Sequence, residues 1–137
     1  MKKVVIFYEK PGCATNTKQK KSIREAGCFI IERDLLNNEL DKDTLYEFLK
    51  EQPVHEWFNP NAPKVKEKEV DPLAFEKDSA LELLLKEPLL IKRPLMVIGN
   101  QKLCGFDNMR VQKLLNTEFA EEVSSECSSS THFCATL

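Results

Sequence analysis

A strand, a turn, a helix and a second strand at the start of the chain constrain its fold most strongly. Residues 4–8 are β-branched or aromatic, which is typical of a short buried strand, and the Pro-Gly pair at 11–12 predicts a turn after it. Residues 14–26 lack proline and glycine, and Gly27 supplies a helix stop. Residues 28–31 are a second apolar run. A unit of this size predicts two parallel strands joined by a right-handed crossover.

The second half of the chain predicts a hairpin and a closing helix. Residues 95–98 are apolar, the Gly-Asn pair at 99–100 suits a two-residue hairpin turn, and residues 101–104 are expected to return as an antiparallel strand. A helix capped by Asp107 is expected to run to residue 115. The two halves together predict an α/β fold with a mixed four-stranded sheet, in the order βαβ and then ββα.

Between the halves, residues from about 40 to 88 predict a helical insertion. Asp43 is expected to cap a first helix, which carries apolar side chains at helical spacing and ends before Pro53. Residues 79–86 predict a second helix with leucines on one face. Prolines divide the stretch between these two helices into short pieces, so no longer element is expected there.

The length and charge of the chain limit its organisation and location. Its 137 residues allow one compact domain. No apolar run approaches the roughly 20 residues of a membrane span or forms a secretory signal, so a cytoplasmic protein without a membrane partner is expected. The net charge of −2 does not indicate nucleic-acid binding. Residues 1–115 are predicted to form the domain, and the acidic, serine-rich residues 116–137 a disordered tail.

Five cysteines are present, namely Cys13, Cys28, Cys104, Cys127 and Cys134. Their odd number and wide spacing do not fit the disulfide framework of a secreted protein. The sequence has no Cys-x-x-Cys and its two histidines lie far apart, so neither a metal site nor a bound cofactor is expected. Cys28 and Cys104 are expected to pack as apolar side chains. Cys127 and Cys134 belong to the predicted tail, from which either could reach Cys13 as a resolving thiol.

Cys13 follows the first turn and stands at the predicted start of the first helix. Backbone N–H groups at a helix N-terminus and the helix dipole stabilise negative charge, so the thiolate of Cys13 is expected to be populated at neutral pH. A thiolate is the attacking species in thiol chemistry, and the same N–H groups can hold an anion beside it. The alternative, that Cys13 is a buried packing residue, stays open.

Four segments of the chain resemble the arsenate reductase (ArsC) family of glutaredoxin-like proteins. They are residues 7–13, Phe-Tyr-Glu-Lys-Pro-Gly-Cys, together with 31–36, 91–95 and 102–106. The family also includes Spx-type transcriptional regulators and a nitrogenase-associated branch, which the opening segment resembles most. The resemblance covers residues 3–115 and implies a thioredoxin-like fold.

The resemblance also implies roles for residues around Cys13. Pro94 would form a cis peptide bond and face the cysteine, and Arg93 would clamp an anion. Independently of the resemblance, the side chains of Thr15 and Asn16 at the predicted helix start can either hydrogen-bond a bound anion or cap the helix. Cys13, Arg93, Pro94, Thr15 and Asn16 are therefore the candidate site.

The chain departs from the family pattern at Asn59, Gly105 and Asn16, and at Thr17, where many relatives have Arg or Lys. Arsenate reductases of this type resemble one another in using three arginines around the oxyanion, and Asn59 and Gly105 stand where two of them are expected. Arsenate reduction is therefore not expected, because much of the positive charge is absent. Asn16 stands where Spx-type regulators have a second cysteine, so no vicinal dithiol switch is expected.

Two functional hypotheses follow. In the first, the protein is a monothiol oxidoreductase: Cys13 attacks an oxidised or oxyanionic substrate, and glutathione or a glutaredoxin resolves the product. Glutathione would then be a co-substrate. In the second, the protein is a non-catalytic binding or regulatory module whose partner is another protein, such as a nitrogenase component. A monomer is expected in both cases.

Overall fold

The computed structural model describes residues 3–37 and 40–119. Four strands are present in this part of the chain: β1 (Val4–Glu9), β2 (Phe29–Asp34), β3 (Leu95–Ile98) and β4 (Gln101–Cys104). Five α-helices accompany them: α1 (Ala14–Glu25), α2 (Lys42–Leu49), α3 (Pro63–Lys66), α4 (Lys77–Lys86) and α5 (Asn108–Leu115). Short 3₁₀ turns lie at Val54–Trp57, Pro72–Ala74 and Pro88–Leu90.

The strands form one mixed sheet in the order β2-β1-β3-β4. β1 and β2 are parallel, whereas β3 pairs antiparallel with both β1 and β4. The prediction of a mixed four-stranded sheet built as βαβ and then ββα is confirmed. Because β1 and β3 are antiparallel, the carboxyl end of β1 lies beside the start of β3, with Tyr8 opposite Leu95.

Each face of the sheet packs against its own hydrophobic core. On one face, Phe7 and Met96 pack with apolar residues of α1 and α5, among them Ile23. On the other face, the helical insertion contributes a larger core that includes Leu45 and Leu84. Successive side chains of a strand point to opposite faces, which explains why β1 and β3 serve both cores. Within the described residues, no helix has the length and apolar character needed to cross a membrane.

The helix boundaries differ from the predicted ones mainly in the insertion. The expectation that Asp43 caps α2 is wrong: Asp41 is the N-cap, and its carboxylate accepts the Thr44 N–H at 2.7 Å. Asp43 instead lies in the first turn, where its charge still favours the helix. Asp107 caps α5 as predicted, accepting the Arg110 N–H.

The described chain continues to pack for a few residues beyond α5. Asn116 ends the helix in a left-handed conformation, and the ring of Phe119 stacks on Phe106 at 6.0 Å between centroids. Packing therefore extends past residue 115, the predicted end of the domain. The rest of the predicted tail, with Cys127 and Cys134, lies outside the described residues.

Candidate active site

Cys13 lies in the loop between β1 and α1 and is the N-cap residue of α1. Its N–H donates to the Lys10 carbonyl at 3.1 Å, and its own carbonyl accepts the Thr17 N–H at 3.0 Å. These bonds fix the cysteine at the positive end of the helix dipole, where negative charge is stabilised. Cys13 is 0% exposed. A substrate can therefore reach the sulfur only when a neighbouring side chain moves.

Arg93 and Pro94 lie at the edge of the sheet where β1 ends and β3 begins. The Arg93–Pro94 peptide bond is cis, and the Pro94 carbonyl accepts the Gly105 N–H at 2.8 Å. Arg93 is only 5% exposed, and burial lowers the pKa of its guanidinium while the charge of Cys13 raises it. The two side chains are therefore close enough to interact electrostatically.

The guanidinium of Arg93 does not use all of its N–H donors in hydrogen bonds to the described residues. Its Nη1 donates to the Leu89 carbonyl at a long 3.5 Å, and its Nε has no hydrogen-bond partner among the described residues. An unsatisfied buried donor is costly, so a bound anion would be favoured here. This arrangement suits the anion clamp that the resemblance implies for Arg93.

Lys10 is a residue of this site that the sequence reasoning missed. It is 1% exposed, although a lysine is rarely buried to this extent. Burial and the charge of Arg93 lower the pKa of Lys10, and the charge of Cys13 raises it. All three residues are buried and the charges of Arg93 and Cys13 act on the pKa of Lys10, so we call Cys13, Arg93 and Lys10 the Cys13 centre. The sequence signal for Lys10 was its place in the same short loop as Cys13.

Asn16 and Thr15 lie in the first turn of α1 but do not cap it. The capping interpretation is wrong because Cys13 is the N-cap residue and no side chain makes a capping hydrogen bond there. The buried Asn16 side chain instead accepts the Lys10 N–H at 3.4 Å and donates to Gln19 Oε1 at 2.9 Å. Asn16 thus ties the loop to the helix, while Thr15 is half-buried.

Asn59 and Gly105, which stand where two arginines are expected, each have a local structural role. Asn59 is buried, and its Oδ1 accepts the Asn61 N–H at 3.0 Å. Gly105 has a φ of +84°, and a Cβ added there would stand 3.1 Å from Lys92 Cε. The stem of Lys92 therefore occupies space that a larger side chain at residue 105 would need.

A buried ion pair lies beside the loop but does not belong to the Cys13 centre. Lys20 Nζ is 2.8 Å from Glu9 Oε1 and also contacts Glu32. Burial raises the pKa of Glu9. Burial alone would lower the pKa of Lys20, but its hydrogen bonds to Glu32 and Glu9 raise it overall. The carboxylate of Glu9 therefore forms an ion pair with Lys20.

The other described cysteines are packing residues, as predicted. Cys104 belongs to the core of the insertion face, and burial raises its pKa to about 12. Cys28 packs at the edge of the opposite core, and burial raises its pKa as well. In residues 3–37 and 40–119, no group of three or more His, Cys, Asp or Glu side chains is placed to hold a metal ion.

Comparison with known proteins identifies the family. A sequence model of the ArsC family matches residues 8–114. The chain belongs to the ArsC family. It is 43% identical over 107 residues to a 15.7 kDa Rhodospirillum rubrum protein described as lying in the draG 3' region, covering 78% of this chain and 75% of that one. It is 23% identical to global transcriptional regulator Spx 2 of Bacillus cereus, over 82% of this chain and 87% of that one.

Solved structures of ArsC-family proteins share its fold. An ArsC-family-related protein from Bacteroides fragilis superposes with a TM-score of 0.71 at 25% identity, covering 80% of this chain and 96% of the other. The arsenate reductase of Vibrio cholerae superposes with a TM-score of 0.65 at 18% identity, covering 85% and 98%. These matches confirm the thioredoxin-like fold of this ArsC-family protein.

Proposed function

We propose that this ArsC-family protein is a monothiol redox protein. The Cys13 thiolate attacks an oxidised or oxyanionic substrate, and an external thiol, from glutathione or a glutaredoxin, then releases the product. The observation that carries this proposal is the unused Nε of the buried Arg93, whose charge interacts with Cys13. A reducing, cytoplasmic compartment would keep such a thiol available.

With a disulfide as substrate, the reaction has two balanced halves. The Cys13 sulfur forms a bond to one sulfur of the disulfide, the S–S bond breaks, and the other sulfur leaves as a thiolate with the electron pair. A second thiolate then attacks the mixed disulfide, which restores the Cys13 thiolate and forms a new disulfide. Arg93 would bind the anionic group next to the reacting sulfur.

The burial of Cys13 implies that the site opens when a substrate binds. The hydrogen bond from Arg93 Nη1 to the Leu89 carbonyl is long at 3.5 Å, so little is lost when the guanidinium binds an anion instead. A substrate anion would offer the guanidinium a shorter, charge-assisted partner.

Arsenate is not the substrate that we propose. Asn59 and Gly105 leave the site without two of the guanidinium groups that the family resemblance implies around an oxyanion of charge near −2. Gly105 also has a φ of +84°, a backbone conformation in which an arginine would be strained. In glutathione disulfide the negative charge is divided among separate carboxylates, so one guanidinium can bind one of them beside the reacting sulfur.

Exposure of the reduced protein to glutathione disulfide tests the proposal. We expect one glutathionyl group on the peptide that contains Cys13, detected by mass spectrometry, and its removal by added glutathione. Cys13→Ser should abolish this adduct, whereas the matched variant Cys28→Ser should keep it. A wild-type protein that carries glutathione on Cys28 but none on Cys13 would contradict the proposal.

The second candidate function is a binding or regulatory role. Two relatives support it: Spx 2, whose name is that of a transcriptional regulator, and the R. rubrum protein in the draG 3' region, which makes a nitrogenase component a candidate partner. If the role is binding alone, Cys13→Ser should bind the purified partner as tightly as wild type. A loss of binding in that variant would tie the interaction to the thiol instead.

A further inference from the structure

Part of the sheet face that packs against the helical insertion is exposed. Tyr8 packs there against the insertion core. The register of β1 and β2 and the alternation of side chains place four more apolar residues on the same face. Val4 is 45% exposed, Phe29 57% and Ile31 38%, so the insertion does not cover them. We call these four residues the sheet patch: Val4, Ile6, Phe29 and Ile31.

The sheet patch extends to an outer edge of the sheet. β2 is an outer strand of the described sheet and pairs there with β1. An outer strand with exposed apolar side chains can pair or aggregate with other molecules, and proteins commonly cover such an edge. The exposure of the sheet patch shows that the described residues do not supply this cover.

The strand charges on this face are positive. Arg33 is paired with Tyr8, and Lys102 with Val97, and both of these partners pack against the insertion core. The acidic strand residues alternate onto the opposite face, which carries α1 and α5: Glu9, Glu32 and Asp34. A covering segment with negative charge is therefore favoured. A second copy of the same face would instead bring like charges together.

Residues 120–137 have the composition of such a covering segment. They contain three glutamates and neither lysine nor arginine. A serine-rich stretch, which is typical of a flexible linker, leads to residues 131–137. There Phe133, Ala135 and Leu137 stand at alternate positions, so one face of an extended segment would carry all three apolar side chains.

The chain is long enough to bring this segment to the sheet patch. α5 ends near the start of β1, because Lys3 Nζ donates to the Leu114 carbonyl and the Lys3 carbonyl accepts the Phe29 N–H at 2.9 Å. The described residues end at Phe119. From there to Phe133 the chain can extend about 46 Å. A small domain is about 30 Å across, so every part of the sheet face is within reach.

We propose that residues 131–137 pack in an extended conformation on the sheet patch of their own chain. The alternate apolar side chains of the segment lie against the patch, and the glutamates that precede the segment are attracted to Arg33 and Lys102. The contact shields the outer strand β2 from other molecules. This inference does not depend on the chemistry of Cys13, so either it or the monothiol function can fail without the other.

Photo-crosslinking in the full chain tests the inference. Benzoylphenylalanine in place of Phe133 is activated by light, and mass spectrometry then maps the peptides that it has joined. We expect cross-links within the chain to the strands that carry Val4 and Ile31. Benzoylphenylalanine in place of Phe119 controls for the method, and it should join the segment that contains Phe106, on which Phe119 stacks.

Two substitutions in the cross-linking chain test the sheet patch itself. Ile31→Asp should lower the yield of cross-links from position 133 about tenfold, because it removes an apolar contact and adds a charge that repels the glutamates. Leu73→Asp is the matched control and should leave the yield unchanged, since Leu73 is 77% exposed but lies outside the sheet patch. In the unsubstituted chain, nuclear Overhauser contacts should join the Phe133 ring to methyl groups of Val4 or Ile31.

Four results would overturn the inference. Cross-links from position 133 that are absent, or that fall outside the sheet patch, would exclude this contact. An unchanged yield in Ile31→Asp would show that the patch does not hold the segment. In a mixture of isotope-labelled and unlabelled chains, cross-links that join the two kinds of chain would assign the patch to a second copy. Absence of the nuclear Overhauser contacts would exclude the packing without any substitution.

Discussion

Replacement of Arg93 by methionine is expected to slow the reaction of Cys13 with glutathione disulfide about 100-fold, the size of effect seen when one preorganised donor of an anion site is removed. Arg93 is 5% exposed and its guanidinium interacts with the charge of Cys13, so the field of the guanidinium is little screened by water. Arg93→Lys keeps the charge but loses the planar fork of donors, and should give an intermediate rate.

The rates would be measured by mass mapping of Cys13 under single-turnover conditions. Arg33→Met is the matched control, because Arg33 is exposed on β2 and its loss should leave the rate unchanged. Arg93→Met also removes a buried Nε without a described partner, so the variant should remain folded. An Arg93→Met rate within a factor of about three of wild type would contradict the anion-clamp role, since it corresponds to well under 1 kcal/mol.

Lys20→Met is expected to lower the free energy of unfolding by about 3 kcal/mol, because it leaves the buried carboxylate of Glu9 without its cation. Lys20 Nζ is 2.8 Å from Glu9 Oε1, and both side chains are about nine-tenths buried. Urea unfolding followed by circular dichroism measures the change. Lys21→Met, at an exposed neighbour on α1, should stay within about 0.5 kcal/mol of wild type.

The double variant Glu9→Gln, Lys20→Met separates the ion pair from packing. It should recover most of the loss, because no buried charge remains unpaired. If the double variant is as unstable as Lys20→Met, the loss comes from packing of the lysine stem and not from the unpaired carboxylate.

The pH dependence of stability gives the ion pair a second signature. Burial raises the pKa of Glu9, so in Lys20→Met the protonated form is favoured by folding and stability should fall as the pH rises from 4.5 through the raised pKa. In wild type, the pKa of Lys20 is raised, so its contribution to stability is fully present below pH 10.5 and is lost only as the pH rises above that value. The hydrogen bond from Lys20 is the main cause that lowers the pKa of Glu32. The contribution of Glu32 to stability is therefore present above pH 4.5 and is lost as the pH falls below it.

The sheet and the position of Cys13 could be predicted because they depend on local patterns. Apolar periodicity and turn residues define β1, α1 and the hairpin, and the turn before Cys13 places it at a helix start. The cap of α2 was misplaced because Asp41 and Asp43 are both suitable residues, and only the backbone conformation decides between them.

The burial of Lys10 could not be predicted from its neighbours in sequence. The sequence of the loop predicts a solvent-exposed turn. The burial of Lys10 and the effect of the Arg93 charge on it depend on tertiary structure, because Arg93 is more than 80 residues away in the sequence. The role of Asn16 escaped prediction for a related reason. Its side chain bonds back to the Lys10 N–H, a contact that exists only once the loop has folded over the helix.

Competitive alkylation of the native protein tests the Cys13 centre most directly. A cationic centre should favour the anionic reagent iodoacetate over neutral iodoacetamide at Cys13, about tenfold more strongly than at Cys28. Cys104, with its pKa raised to about 12 by burial, should remain unmodified and serve as an internal control. If Cys13 reacts no faster than Cys28 and shows no preference for iodoacetate, the account of a reactive Cys13 thiolate in a cationic centre is wrong.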